Sequence, residues 1–264
     1  MQNIDPIYLL QPIVTIAFSV ALVIYWAFKR RFAGSVLIYS FFAYAGAIAA
    51  KYIVQIPTIE FMISHFGAHS WQLGLYYGLQ TSIFEVGGAF LVARYAFSKN
   101  KMQLKDSESY GIGLGFWENA VLLGALSLLN LLSVYLAIAA GPQSIAQQVY
   151  DTINSTQPAL FYGPARALPT VGLGILERVS SALLHFSWGY LCVFAAVLHR
   201  YKYFLIALPM GLADFFVPLA GSVSLVVFEL GLFALSALTV VVALVVTRKY
   251  RGAPPEVSTT PQAP

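Results

Sequence analysis

Apolar residues run along this chain in blocks close to 20 residues long, separated by short polar or basic stretches. A block of that length spans the hydrocarbon core as a helix, because lipid offers no partner to an unpaired backbone amide. Seven such spans are expected, at roughly 7–28, 33–55, 72–97, 109–140, 170–198, 203–220 and 222–246. The fourth is too long for one crossing and is expected to tilt, overhang or break near Asn130. No internal repeat or second domain interrupts the pattern. Residues 1–251 therefore read as one all-α transmembrane bundle, and 252–264, GAPPEVSTTPQAP, as a short disordered tail.

The charges between the blocks set an orientation. Lys29, Arg30 and Arg31 follow the first span, and Lys99, Lys101 and Lys105 the third. Arg200 and Lys202 follow the fifth, and Arg248, Lys249 and Arg251 the seventh. The alternate connections hold only Lys51, read as the end of the second span, and Arg166. Basic residues mark cytoplasmic loops, so the N-terminus is expected outside and the C-terminus in the cytoplasm. Two outer segments are then long, Pro57 to Trp71 and Gly141 to Pro169.

Composition agrees with this picture. The 264 residues are 59% hydrophobic and 10% charged, with a mean hydropathy of +0.74. A soluble globular domain is excluded, and a multi-pass protein of the plasma membrane is expected. The net charge of +4 belongs to the loops and implies no nucleic-acid partner; the lipid bilayer is the expected surrounding. The single cysteine, Cys192, supports neither an internal disulfide nor a metal framework. MQNIDPIYLL lacks the basic region of a signal peptide, so the first apolar run is expected to stay as a span.

Candidate chemistry lies inside the spans. The stretch LERVSSALLHFSW, Leu176 to Trp188, places Glu177, Arg178, Ser181 and His185 in an otherwise apolar run. On a helix these four side chains fall within an arc of roughly 100°. An ionisable group at the bilayer centre costs on the order of 2.5–3.5 kcal/mol on insertion scales, so each needs a partner or a water-filled cavity. Counted from the cytoplasmic ends at 1.5 Å per residue, Glu85 lies roughly 18 Å deep, Glu118 roughly 15 Å, His185 roughly 20 Å and Asp214 roughly 16 Å. Four groups from four helices at one level are expected to meet in one interior site. The run GIGLG, Gly111 to Gly115, reads as a close helix contact. Asp214, between Pro209 and Pro218, is expected on an irregular helix. Glu229 has no obvious companion and reads as structural, and adjacent Glu177 and Arg178 point about 100° apart and are not expected to pair.

FEVGGAF at Phe84–Phe90, YGIGLGFWENAVLLG at Tyr110–Gly124, LERVSSALLHFSW and ALPMGLADF at Ala207–Phe215 resemble the YhfC-type family of intramembrane peptidases. That family is grouped with the glutamic CAAX-processing and PrsW-like enzymes. The resemblance implies hydrolysis of a membrane peptide bond. Glu85 would be the general base, His185 the water-orienting partner, and Glu118 and Asp214 the groups that hold them. Glu177, Arg178 and Ser181 would form a substrate-binding or structural polar core, with Arg178 paired to a carboxylate of another helix. The sequence also departs from the family pattern. Val86 and Ala89 stand where a second glutamate and an arginine are expected, and Leu114 and Met210 stand at histidine positions. One histidine with carboxylates makes a poor zinc site, so no metal or other cofactor is expected. Two other readings stay open: a catalytically inactive scaffold that binds a transmembrane segment, and a small transporter.

Overall fold

The computed structural model describes residues 3–30 and 32–250. The tail 252–264 lies outside the described residues. Those described form helices throughout, with no strand among them.

In chain order the elements are α1 (Leu10–Arg30), α2 (Gly34–Phe66), α3 (71–98), α4 (Leu104–Ala140), α5 (Gln143–Thr156), α6 (Pro164–Val197), α7 (Lys202–Ser222) and α8 (Leu225–Val246). Six helices are long and apolar enough to cross a membrane: α1, α2, α4, α6, α7 and α8. The third expected span, α3, is helical without interruption, joining Trp71–Gln80, Thr81–Val86 and Gly87–Ser98 end to end. Its first part packs on α7 and its last part on α2 and α6. This is a multi-pass membrane protein built as a helix bundle. In α6, 72% of the most apolar stretch is buried, against at most 28% in the other five, so α6 is the central helix.

Small residues let the helices approach this centre. A Cβ on Gly111 of α4 would lie 2.5 Å from the Phe186 carbonyl oxygen of α6, and one on Gly189 would lie 2.7 Å from the Gly111 Cα. The GIGLG run thus makes the close contact expected of it. A second such contact seats α7 on α3, where a Cβ on Gly211 would lie 2.7 Å from the Ser82 backbone. Buried polar atoms close the joints. Tyr110 Oη donates to the Ala89 carbonyl at 2.8 Å, and Thr239 Oγ1 to Ser187 Oγ at 3.0 Å.

Two expectations about boundaries change, and the fourth span runs on unbroken, one of the forms expected of it. The second span does not end near Pro57. α2 continues to Phe66, because a proline in a membrane helix costs one backbone bond without forcing a stop. Lys51 is therefore a mid-helix residue. The segment 141–169 holds α5, which packs on the last part of α4 and buries Ala146. The fourth span is continuous past Asn130. Its irregularity comes earlier, in a π-helical stretch, Trp117–Ala125.

Candidate active site

Glu85, Glu118 and Asp214 each sit where a helix departs from α geometry. Glu85 lies in the π-helical stretch Thr81–Val86, and Glu118 in Trp117–Ala125. Such wide turns rotate the side chains that follow and recur at functional sites. Asp214 lies in the 3₁₀ stretch Leu208–Ser222. Pro209 and Pro218 withhold amides there, which produces the irregularity expected from the sequence. His185 is on the regular, central α6.

These side chains form one continuous polar chain through the bundle. His185 is its middle. Its Nε2 is 3.2 Å from Glu85 Oε2, and its Nδ1 is 2.9 Å from Glu118 Oε2 and 2.9 Å from the Ser181 carbonyl oxygen. Trp188 and Tyr44 pack their rings on the imidazole, at 4.3 and 5.9 Å between centroids. Glu118 also accepts from Ser181 Oγ at 2.8 Å and faces Arg178 Nη1 at 3.8 Å. Arg178 pairs with Glu177 as well. Adjacent residues were expected to point apart. Their long side chains bend back to meet beside the cleft at this end of the network.

Beyond Glu85 the chain runs on to Lys51. Its ammonium donates to Glu85 Oε1 at 2.5 Å and to Thr81 Oγ1 at 2.8 Å, and lies 3.4 Å from Asp214 Oδ2. Thr81 Oγ1 donates to the same Asp214 oxygen. The four expected groups Glu85, Glu118, His185 and Asp214 therefore belong to one network, and Glu177, Arg178 and Ser181 belong to it too. Lys51 is the member that sequence reading missed. The available signal was a lysine with apolar residues on both sides, about 25 Å from the start of its helix at 1.5 Å per residue. Reading Pro57 as a helix end hid it. Glu229 is buried in α8, and its Oε2 is unpaired among the described residues.

The network opens at both ends. A cleft of about 360 Å³ is lined by Tyr8, Gln11, Thr15, Asn130, Glu177 and Arg178 among others. A second cavity, of about 300 Å³, is lined by Ile48, Lys51, Tyr52, Gln55, Tyr77, Asp214 and Val217. Between the openings the groups are closed off. The Glu85 and His185 side chains are 8% and 5% exposed, and both oxygens of Glu85 are engaged. Asp214 is 38% exposed, and its Oδ1 enters no hydrogen bond among the described residues.

A helical membrane bundle with ionised groups paired at its centre defines a class: a multi-pass protein with a polar site inside the bilayer. Within that class, the chain matches the model of the YhfC intramembrane metalloprotease family over residues 14–245, and it belongs to that family. No curated protein and no solved structure matches it.

The family's description implies a metal, and the side chains present do not fit one. Among the described residues, no three His, Cys, Asp or Glu side chains are grouped to hold a metal ion. Both nitrogens of His185 are already engaged, Nε2 with Glu85 and Nδ1 with Glu118 and the Ser181 carbonyl, so neither is left facing an open site. Oε1 of Glu85 and Oδ2 of Asp214 both face the Lys51 ammonium.

Proposed function

We propose that this protein hydrolyses a peptide bond of a membrane-embedded or membrane-anchored segment, and that the reaction takes place at the Lys51–Asp214 cavity. The supporting observation is that Asp214 has an oxygen outside any hydrogen bond among the described residues and shares a cavity with the Lys51 ammonium. In this reading Asp214 takes a proton from a water in the cavity as that water attacks the scissile carbonyl carbon. The Lys51 ammonium stabilises the oxygen that becomes negative. Asp214 then passes the proton to the departing amine, so that water is added across the C–N bond. Glu85, His185 and Glu118 act behind this pair as positioning residues that hold the Lys51 ammonium in place. The protein lies in the plasma membrane with its C-terminus in the cytoplasm.

Purified protein in proteoliposomes, given fluorescently labelled single-span peptides, tests the assignment. Asp214→Asn should abolish cleavage while leaving the folded protein close to wild type in stability, because its side chain is partly exposed. Undiminished cleavage by Asp214→Asn would end the assignment of the base to Asp214. Undiminished cleavage by Glu85→Gln would end the role of the buried chain.

One observation favours a second reading. Glu85 and His185 are fully engaged with each other and with their neighbours, which is also how a purely structural charge cluster is built. An inactive scaffold that binds a transmembrane segment would show no cleavage of any peptide by the wild type, together with specific co-purification of a membrane partner.

A further inference from the structure

We propose that Lys51 is the resident cation of this site: its ammonium does the work of a metal ion in holding the carboxylates together, and the protein is metal-free. This goes beyond the proposed hydrolysis and does not depend on it. Oxygens of Glu85, Thr81 and Asp214 converge on one point from α3 and α7, at 2.5, 2.8 and 3.4 Å from Lys51 Nζ. Three oxygens around one centre is the beginning of a metal site. It also matches the three donors of an ammonium, which has no other acceptor to serve. Lys51 reaches this point from α2, so the cation is covalently tethered and cannot dissociate.

The pairing of the acids points the same way. Lys51 contacts Glu85 and Asp214, Arg178 contacts Glu118 and Glu177, and His185 contacts Glu85 and Glu118, so each of the four carboxylates already has a basic partner. A divalent ion at the Glu85–Asp214 gap would sit about 2.0–2.6 Å from its oxygens, within the volume that Nζ already occupies. It would have to displace the ammonium from both carboxylates into the cavity lined by Ile48, Tyr52, Gln55, Tyr77 and Val217. His185 adds no ligand, because its nitrogens already serve Glu85 and Glu118.

The test uses the full-length protein in detergent. It is dialysed against zinc, manganese or calcium, freed of loose ions by gel filtration, and analysed for metal, with melting followed with and without a chelator. The expected result is no stoichiometric metal and a melting temperature that the chelator does not move. One ion retained per chain, whose removal lowers the melting temperature, would overturn the inference. It would do so whether or not peptides are cut, and failure to cut peptides would leave these readouts unaffected. A variant gives an independent check. Lys51→Ala removes three carbons and the ammonium, and should melt well below wild type. Propylammonium, which supplies those atoms, should restore part of the loss at concentrations that leave wild type unchanged. A Lys51→Ala protein as stable as wild type without added amine would also overturn the inference. If that variant does not fold, the metal content of the wild type decides alone.

Discussion

The two ends of the buried charge chain are built differently. At one end Arg178 is held by its own neighbour Glu177 and, at 3.8 Å, by Glu118. The cleft beside it is polar, and Glu118 keeps two closer partners, Ser181 at 2.8 Å and His185 at 2.9 Å. At the other end Lys51 draws together side chains from two other helices, and without it Glu85 would keep only His185 and Asp214 only the Thr81 hydroxyl. The Arg178 end can lose its cation and leave Glu118 satisfied, with Glu177 facing the cleft. The Lys51 end cannot, since a buried charge stripped of its partner costs far more than the pair contributes.

Substitutions can break or sharpen this contrast. The largest effect is expected from Lys51→Met, which keeps the bulk and removes the charge. It should cost about 3–5 kcal/mol, seen as a fall in melting temperature on the order of 10 °C. It should also abolish any cleavage. A Lys51→Met protein that melts like wild type would show that the two ends are equivalent. Next comes the combination of Lys51→Met with Glu85→Gln. Removing both partners should recover part of the loss, with a coupling of roughly 1–3 kcal/mol in a double-mutant cycle. Strict additivity would mean that the 2.5 Å contact carries no specific energy. The smallest effect is expected from Arg178→Met, about 1 kcal/mol, because that cation borders a polar cleft and Glu118 keeps its hydroxyl and imidazole partners. A loss at Arg178 as large as that at Lys51 would reverse the comparison.

The two ends also differed in how far they could be read in advance. Glu177, Arg178, Ser181 and His185 share one helix, so their common face follows from helical spacing alone. Lys51 contributes from a helix whose other residues are unremarkable. Nothing local ties it to Glu85, 34 positions later, or to Asp214, 163 positions later. Its partners became visible only when α2 proved to run through Pro57. The two π-helical stretches were equally hidden, because a wide turn is set by what the side chains meet and not by a residue pattern.

By itself the sequence determined that this chain is a membrane helix bundle, about where its spans run, and that its acids and His185 lie at a similar depth. Those properties follow from length, hydropathy and position along a helix, all of which are local. Only the tertiary structure decided which acid meets which base. Pairing depends on how each helix is rotated about its axis. Here that rotation comes from the glycine contacts, the two π-helical turns and the proline-bound α7. It was also the tertiary structure that brought a lysine to the point where the carboxylates converge.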